Sequence, residues 1–148
     1  MTSVIKYGIV GFSKNQFDKK AAFKLLDTLF AQLKAKHPNE SVEIVSGYTD
    51  TGVPKIAYNL AEKYGFTTVG FSAKQALEVS SGVFPADKVF LEGEKFGDES
   101  EAFINYIDRL IRIGGGKQSR KEVALFKEKY PNHQSDPFLT EHEVESGK

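Results

Sequence analysis

Three consecutive glycines stand where an apolar, strand-like segment gives way to a polar run and then to a helix-like one, in RLIRIGGGKQSRKEVALF. Glycine loses more conformational freedom on folding than any other residue, so a triplet indicates an unusual turn or a ligand that side chains would block. The start of a helix offers unpaired N–H groups and a partial positive charge, which together suit an anion. We therefore interpret this segment as a phosphate-binding loop, and its candidate contacts are Gly114, Gly115, Gly116, Lys117, Gln118, Ser119 and Arg120.

Similar loops follow three earlier apolar segments, in GFSKN, SGYTDTG and FSAKQ. All contain hydroxyl or amide side chains, the first two also contain glycine, and ligands of open parallel sheets bind beyond the carboxyl ends of the strands. Tyr48 is placed either to stack on a base or to cover the end of the sheet. The candidate contacts in these loops are Gly11, Ser13, Gly47, Tyr48, Thr49, Asp50, Thr51 and Gly52.

Part of this pattern also has a purely structural interpretation. Ser119 and Glu122 have the spacing of a capping box, in which each side chain satisfies a free N–H group at a helix start. Asp50 or Thr51 is a candidate cap for the helix that follows them. The glycine segment is neither a P-loop, which requires Ser or Thr at Gln118, nor a dinucleotide fingerprint, which requires glycine at Ser119. Capping leaves the three glycines unexplained, so both interpretations stay open.

The spacing of apolar residues predicts the elements that must position these loops. Strands are expected at 4–10, 42–45, 66–71, 87–91 and 109–113, and helices at 18–36, 51–64, 99–106 and 119–130, with Gly65 as a helix cap. The alternation of helices with strands that are apolar throughout implies an α/β fold. We expect a three-layer sandwich with a parallel, Rossmann-like sheet of about five or more strands. This domain spans 1–130, and residues 131–148 are expected to be a polar, mobile tail.

The amino-acid composition of the chain argues against several classes of function. The chain of 148 residues carries 20 basic and 20 acidic side chains, and this balance argues against a nucleic-acid binder. It has no cysteine, which excludes disulfides, thiolate catalysis and cysteine-ligated metals, and its histidines form no metal-ligand pattern. No segment has the pattern of a signal peptide or a membrane span. We therefore expect a cytoplasmic protein without a bound metal or cofactor.

The segment DRLIRIGGGKQSRKE resembles the D-A-F-I-A-L-P-G-G-x-G-T-x-x-E signature of the Lonely Guy phosphoribohydrolases and the wider SLOG superfamily of Rossmann-like nucleotide-binding proteins. Asp108, Ile111, Gly115, Gly116 and Glu122 match that signature directly. Upstream, SGYTDTGVPK is similar to the first glycine motif of the superfamily. The matching positions there are Gly47, Thr49, Thr51, Gly52 and Pro54.

The resemblance implies a nucleotide site in which Glu122 is the catalytic carboxylate of an enzyme. In the phosphoribohydrolases a catalytic arginine lies shortly before the aspartate of the signature, but here that region reads GEKFGDESE and has no arginine. Tyr48 and Gln118 also replace glycines of the family. We therefore expect a binding or sensing module for a nucleotide or nucleotide-derived small molecule, with Lys117 or Arg120 on phosphate and Glu122 on a ribose hydroxyl.

Two other functions stay open. A phosphoribohydrolase-type N-glycosidase acting on a nucleoside monophosphate would use Glu122, with Asp50 or Asp108 as the second acid. Single-stranded DNA binding is a further alternative, because some DNA-processing proteins share this fold. SLOG proteins usually form dimers, so the resemblance also implies a homodimer or a higher homo-oligomer.

Overall fold

A computed structural model describes residues 4–12, 17–48, 52–78, 83–95, 98–130 and 139–144. The strands are β1 (Val4–Gly11), β2 (Ser41–Ser46), β3 (Thr67–Ser72), β4 (Lys88–Leu91), β5 (Arg109–Ile113) and β6 (Leu139–His142). The helices are α1 (Lys19–Lys36), α2 (Gly52–Tyr64), α3 (Ser100–Tyr106) and α4 (Lys117–Lys129), with a short 3-10 helix at Lys74–Glu78. No helix within these ranges is long and apolar enough to cross a membrane.

The strands form one parallel sheet in the order β4-β3-β2-β1-β5-β6. The chain moves outward from β1 through β2, β3 and β4, and then returns to place β5 on the other side of β1. The connections that leave β1 and β5 therefore diverge, and a crevice opens at the carboxyl ends of these two strands. Gly11 and Ile113 are paired at that edge, so the crevice begins directly after them.

Two apolar clusters pack on opposite faces of the sheet. Ile9 faces α1 and α2, where it joins a cluster with Leu26 and Ala57, whereas its neighbour Val10 faces α3 and α4. Successive side chains of a strand point to opposite faces, which is why apolar residues can follow one another in a strand covered on both sides. The predicted α/β three-layer sandwich is confirmed.

Capping interactions mark the start of α1 and the end of α2. Asp18 accepts a hydrogen bond from the Ala21 N–H group at 3.0 Å and starts α1. Gly65 has a φ of 76° directly after α2, and the Phe66 N–H group donates to the Ala61 carbonyl at 2.8 Å. This is the glycine-terminated helix end that the sequence predicts.

The end of the chain differs from the prediction of a mobile polar tail over 131–148. Leu139–His142 forms β6, which pairs with β5 in parallel. The buried guanidinium of Arg112 on β5 donates to Glu141 at 2.8 Å and to Glu143 at 2.8 Å. A buried cation needs such partners, so polar residues that look like a tail in the sequence are held at the sheet edge. Residues 131–138 and 145–148 lie outside the described part of the chain.

Candidate functional site

A cleft of about 200 Å³ lies at the carboxyl ends of β1 and β2, beside the start of α4. This is the point where the strand order reverses, at which ligands of open α/β sheets bind. The residues that line it are Ile9, Val10, Gly11, Ser46, Gly47, Pro54, Phe71, Ser72, Glu99, Phe103, Gly116, Lys117, Gln118, Ser119 and Glu122.

The three glycines of the β5–α4 turn have different roles. Gly114 and Gly115 have φ angles of 58° and 100°, a region that favours glycine. A Cβ atom on Gly114 would collide with the Phe12 ring, and one on Gly115 would collide with the Ser119 side chain. At Gly116, however, no atom lies within 4 Å of the Cβ position. The first two glycines are needed for the turn, whereas the third leaves bare backbone on the open cleft.

Helix α4 starts two residues earlier than the sequence predicts, and its start is not a capping box. Gly116 is the N-cap, no side chain of the described residues caps it, and the first turn has no acidic residue. Ser119 lies inside this turn and donates its hydroxyl hydrogen to the Gly116 carbonyl at 3.1 Å. Glu122 bonds elsewhere, as described below. The first N–H groups of α4 thus begin at the cleft without the reciprocal cap that would have satisfied them.

The opposite wall is fixed by hydrogen bonds at the ends of β1, β2 and β3. The Ser46 hydroxyl donates to the Ile9 carbonyl at 2.6 Å. Tyr58 is completely buried in α2, and its hydroxyl lies 2.8 Å from the carbonyl oxygens of both Gly47 and Val69. Tyr58 therefore ties the loop after β2 to the neighbouring strand and holds Gly47 at the cleft.

Two carboxyl side chains are buried on the α3–α4 side of the cleft. Glu99, directly before α3, is 3% exposed, and Glu122 on α4 is 6% exposed. Gln118 donates to Glu99 Oε1 at 2.8 Å, and Ser100 donates to Glu122 Oε2 at 3.1 Å. Burial, together with the nearby charge of Glu99, raises the pKa of the Glu122 carboxyl to about 8. Glu122 is therefore largely protonated at neutral pH.

The cleft brings together about half of the ligand contacts predicted from the sequence. Those that line it are Gly11, Gly47, Gly116, Lys117, Gln118 and Ser119, together with Glu122. Those that lie outside its lining are Tyr48, Gly52, Gly114, Gly115 and Arg120. Ser13, Thr49, Asp50 and Thr51 lie outside the described residues. As contacts to a ligand, all of these residues stay predictions.

Two of the outlying residues, and the candidate second acid Asp108, have identifiable structural roles. Tyr48 lies over Gly70 of β3, so it covers the sheet end, which was one of its two predicted positions. Arg120 points to the exposed carboxylate of Glu143, at 3.2 Å. Asp108 accepts from the Lys6 N–H group at 3.0 Å at the amino end of β5. Since β5 separates it from the cleft, Asp108 cannot be the second acid of a hydrolase at this site.

Sequence reasoning missed Glu99 and did not single out the serines that end β2 and β3. Glu99 lies in the region searched for a catalytic arginine, and only the docking of α3 beside α4 shows that it reaches the cleft. Ser46 and Ser72 each occupy the last position of a parallel strand, where a polar residue after an apolar run is a usable signal. Within the described residues, no group of three or more acidic or histidine side chains could hold a metal ion.

No protein-family model matches the sequence, and no curated protein matches it. Several solved structures do match in fold. TM1055, a structural-genomics target, has a TM-score of 0.66 and 16% identity over 94% of this chain and 91% of that one.

Two further matches are proteins of the molybdenum cofactor. The carrier protein MCP from Chlamydomonas reinhardtii has a TM-score of 0.65 and 17% identity, over 99% of this chain and 91% of that one. The molybdenum cofactor binding protein from the phototrophic bacterium Rippkaea orientalis has a TM-score of 0.61 and 21% identity, over 87% of this chain and 72% of that one. The chain therefore shares a Rossmann-like α/β fold with TM1055 and the molybdenum cofactor carrier protein.

Proposed function

We propose that the cleft binds a phosphorylated small molecule with a polar ring system, such as a nucleotide or a nucleotide-derived compound, and that the chain is a binding or sensing module. The observation that carries this proposal is the uncapped start of α4 beside the bare backbone of Gly116, at the reversal point of the sheet.

The phosphate group is assigned to the α4 side of the cleft. Helix N–H groups that no side chain caps carry a partial positive charge, and an anion is their natural partner. Lys117 lines the cleft at the same position and adds a full positive charge. Gly116 lets the anion approach the backbone because nothing projects from its Cα atom into the open space.

The ring system is assigned to the opposite wall. Ser46 and Ser72 offer hydroxyl groups there, Gly47 offers backbone, and Phe71 and Phe103 offer aromatic surface. A mixture of apolar surface and a few directed polar groups is typical of small-molecule sites. We therefore expect a planar, polar ring against this wall, with the phosphate toward α4.

Two solved structures of this fold are named for binding the molybdenum cofactor, which is a pterin that carries a phosphate group. Nucleotides and phosphorylated pterins both carry a phosphate group and a planar, polar ring, and these are the two groups that we assign to the cleft. Since the chain has no cysteine, a molybdenum atom bound with a pterin would receive no thiolate from this protein. The shared chemistry, a phosphorylated nitrogen heterocycle, is therefore our proposal for the ligand class.

Mass spectrometry of small molecules released from the purified full-length chain tests the proposal. A nucleotide mass would identify the ligand as a nucleotide. A fluorescent pterin product, together with molybdenum in elemental analysis, would identify it as the molybdenum cofactor. Gly116→Val should lose the retained molecule, whereas a change of exposed Glu101 to Gln should keep it. If the chain retained nothing and bound neither class when it was supplied, the proposal would be wrong.

A second candidate function is N-glycosidic hydrolysis of a nucleoside monophosphate, which the two buried carboxyl groups favour. Glycosidases pair a protonated acid with an ionised carboxylate, and Glu122 with its raised pKa has the character of the acid. From the sequence, Asp50 or Asp108 was expected to be the second acid. In the cleft, Glu99 would have this role instead. Release of free base from a supplied monophosphate, lost in Glu122→Gln, would support this enzyme.

The homo-oligomer implied by the family resemblance stays a prediction, to be checked by light scattering.

A further inference from the structure

The buried carboxyl groups face a site that we have assigned to an anion, and this raises a problem of charge. We define the acid cluster as Glu99, Gln118 and Glu122. All three line the cleft beside the start of α4, where the phosphate is placed. Two ionised carboxylates there would repel the ligand, since charges in a poorly solvated site interact strongly.

We propose that the cleft takes up its anionic ligand together with a proton that the acid cluster holds on Glu122, so that binding is linked to pH. This inference rests on the proposed function, because it concerns the regulation of the same site. It makes Glu122 a positioning residue whose charge state decides whether the anion can enter.

The geometry of the acid cluster favours one proton and one negative charge. Glu99 and Glu122 are 3% and 6% exposed, so water solvates neither of them well. The Gln118 amide donates to Glu99 Oε1 at 2.8 Å, the Ser100 hydroxyl donates to Glu122 Oε2 at 3.1 Å, and all of the acid cluster lines the same cleft. Buried carboxyl groups that share an environment avoid ionising together.

The charged groups around Glu122, among the described residues, come from two elements. Glu99 approaches from the start of α3 and opposes ionisation, while Lys121 on α4 favours it. Lys117 on α4 lines the same cleft. The strand ends contribute the hydroxyl groups of Ser46 and Ser72, which do not titrate in this range.

The electrostatic effects on the pKa of Glu122 act in the same direction as the geometry of the acid cluster. Burial is the largest cause that raises the pKa of Glu122 to about 8, and the charge of Glu99 is the next. A phosphate at Gly116 adds a negative charge six residues before Glu122, or roughly 9 Å away along the helix axis. It therefore raises the pKa of Glu122 further, and by reciprocity the proton strengthens binding of the phosphate.

Calorimetric titration with AMP at about pH 7 and about pH 9.5 tests this inference. The second pKa of the AMP phosphate is about 6, so the probe is mostly the dianion at about pH 7 and its charge changes little up to about pH 9.5. If only the protonated form binds, the affinity of the wild-type chain should fall by about thirtyfold between the two pH values. Buffers of different ionisation enthalpy should show proton uptake on binding near about pH 8.5.

The variants separate this mechanism from a merely structural role. Glu122→Gln should lose the pH dependence, because glutamine is neutral throughout. Glu99→Gln should keep the dependence but shift its midpoint to lower pH, since the charge of Glu99 no longer opposes ionisation of Glu122. Glu101→Gln, at an exposed position of α3, should match the wild type in both affinity and pH dependence.

The carboxyl group can also be observed directly. In protein labelled with ¹³C-glutamate, the carboxyl resonance of Glu122 is the one that disappears in Glu122→Gln. This resonance should titrate near pH 8 in the free chain and at a higher pH when AMP is bound. Affinity that stays constant with pH in the wild type would overturn this inference and leave the proposed function standing. Absence of AMP binding at both pH values would contradict this inference and would exclude AMP as a ligand, whereas the proposed function would then depend on the pterin arm of its own test.

Discussion

The side-chain amide of Gln118 donates to Glu99 Oε1 at 2.8 Å and thereby joins the start of α4 to the residue that precedes α3. These two residues come from the two helices that cover one face of the sheet, and both line the cleft. The bond gives Gln118 a structural role at a position where the signature that this segment resembles has a glycine. Gln118 fills that space and orients a buried carboxylate instead of leaving bare backbone.

Glu122→Gln should stabilise the fold by an amount that grows with pH. The carboxyl of the unfolded chain loses its proton near its ordinary pKa, whereas in the folded chain burial raises the pKa to about 8. The folded state therefore binds more protons between these values, and wild-type stability falls as pH rises through this interval. We expect the difference in free energy of unfolding, measured in urea, to grow by a few kcal/mol, on the order of 3, from about pH 5 to about pH 8.

The control for that measurement is Glu101→Gln, whose side chain is exposed on α3 and whose stability should follow the wild-type curve. If Glu122→Gln also followed the wild-type curve, Glu122 would be as well solvated in the folded chain as in the unfolded one.

Gly115→Ala and Gly116→Ala should affect different properties. Gly115 has a φ of 100° and no room for a Cβ atom, so alanine should destabilise the fold by about 1–3 kcal/mol. Gly116 has free space at the Cβ position, so alanine there should leave the fold intact and weaken binding of AMP. Thermal unfolding measured beside calorimetric binding separates the two effects. Unchanged AMP affinity in folded Gly116→Ala would show that the anion does not approach this backbone.

Arg112→Met should loosen β6 from the sheet. The buried guanidinium bonds to Glu141 and Glu143, and it donates to the Gly114 carbonyl at 2.8 Å. Loss of these bonds should cost about 1–3 kcal/mol and raise hydrogen exchange in Leu139–His142. Arg120→Met is the matched control, because its ion pair with Glu143 is exposed to solvent and therefore contributes little to stability. Equal exchange in both variants would mean that backbone pairing and packing hold β6 without help from Arg112.

Tyr58→Phe should weaken both the fold and the ligand site. The completely buried hydroxyl lies 2.8 Å from the Gly47 and Val69 carbonyl oxygens, so its removal leaves these acceptors without that partner. We expect a loss of about 1–3 kcal/mol in stability and reduced AMP affinity, since Gly47 lines the cleft.

Tyr64→Phe serves as the comparison, because the Tyr64 hydroxyl bonds to Asp27 on the outer helices, away from the cleft. It should lower stability less and leave AMP affinity unchanged. A Tyr58→Phe variant with wild-type affinity would mean that the position of Gly47 does not matter for binding.

Local patterns in the sequence were sufficient for the first five strands, the four helices and the architecture. The apolar segments predict the first five strands, and Asp18 and Gly65 mark helix ends because the hydrogen bonds that define such ends are made within a few residues. Helix–strand alternation predicts the parallel sheet, because parallel neighbours need crossover connections. The location of the glycine turn at the carboxyl ends of the strands follows from the same argument.

The prediction failed where a contact partner is distant in the chain. Leu139–His142 reads as a polar tail, because the cation that satisfies Glu141 lies on β5, 29 residues earlier. Ser119 and Glu122 read as a capping box, because the partner that Glu122 actually bonds, Ser100, belongs to another helix.

By itself, the sequence determined the α/β class, the start of α1, the end of α2 and the loops at which a ligand site is expected, since these depend on periodicity and on backbone preferences within a few residues. Only the tertiary structure decided which of those loop residues share one cleft, that Glu99 joins them, and that Glu122 is a buried acid. The physical reason is that burial, and with it the pKa and the accessibility of a side chain, depends on neighbours supplied by other helices and strands.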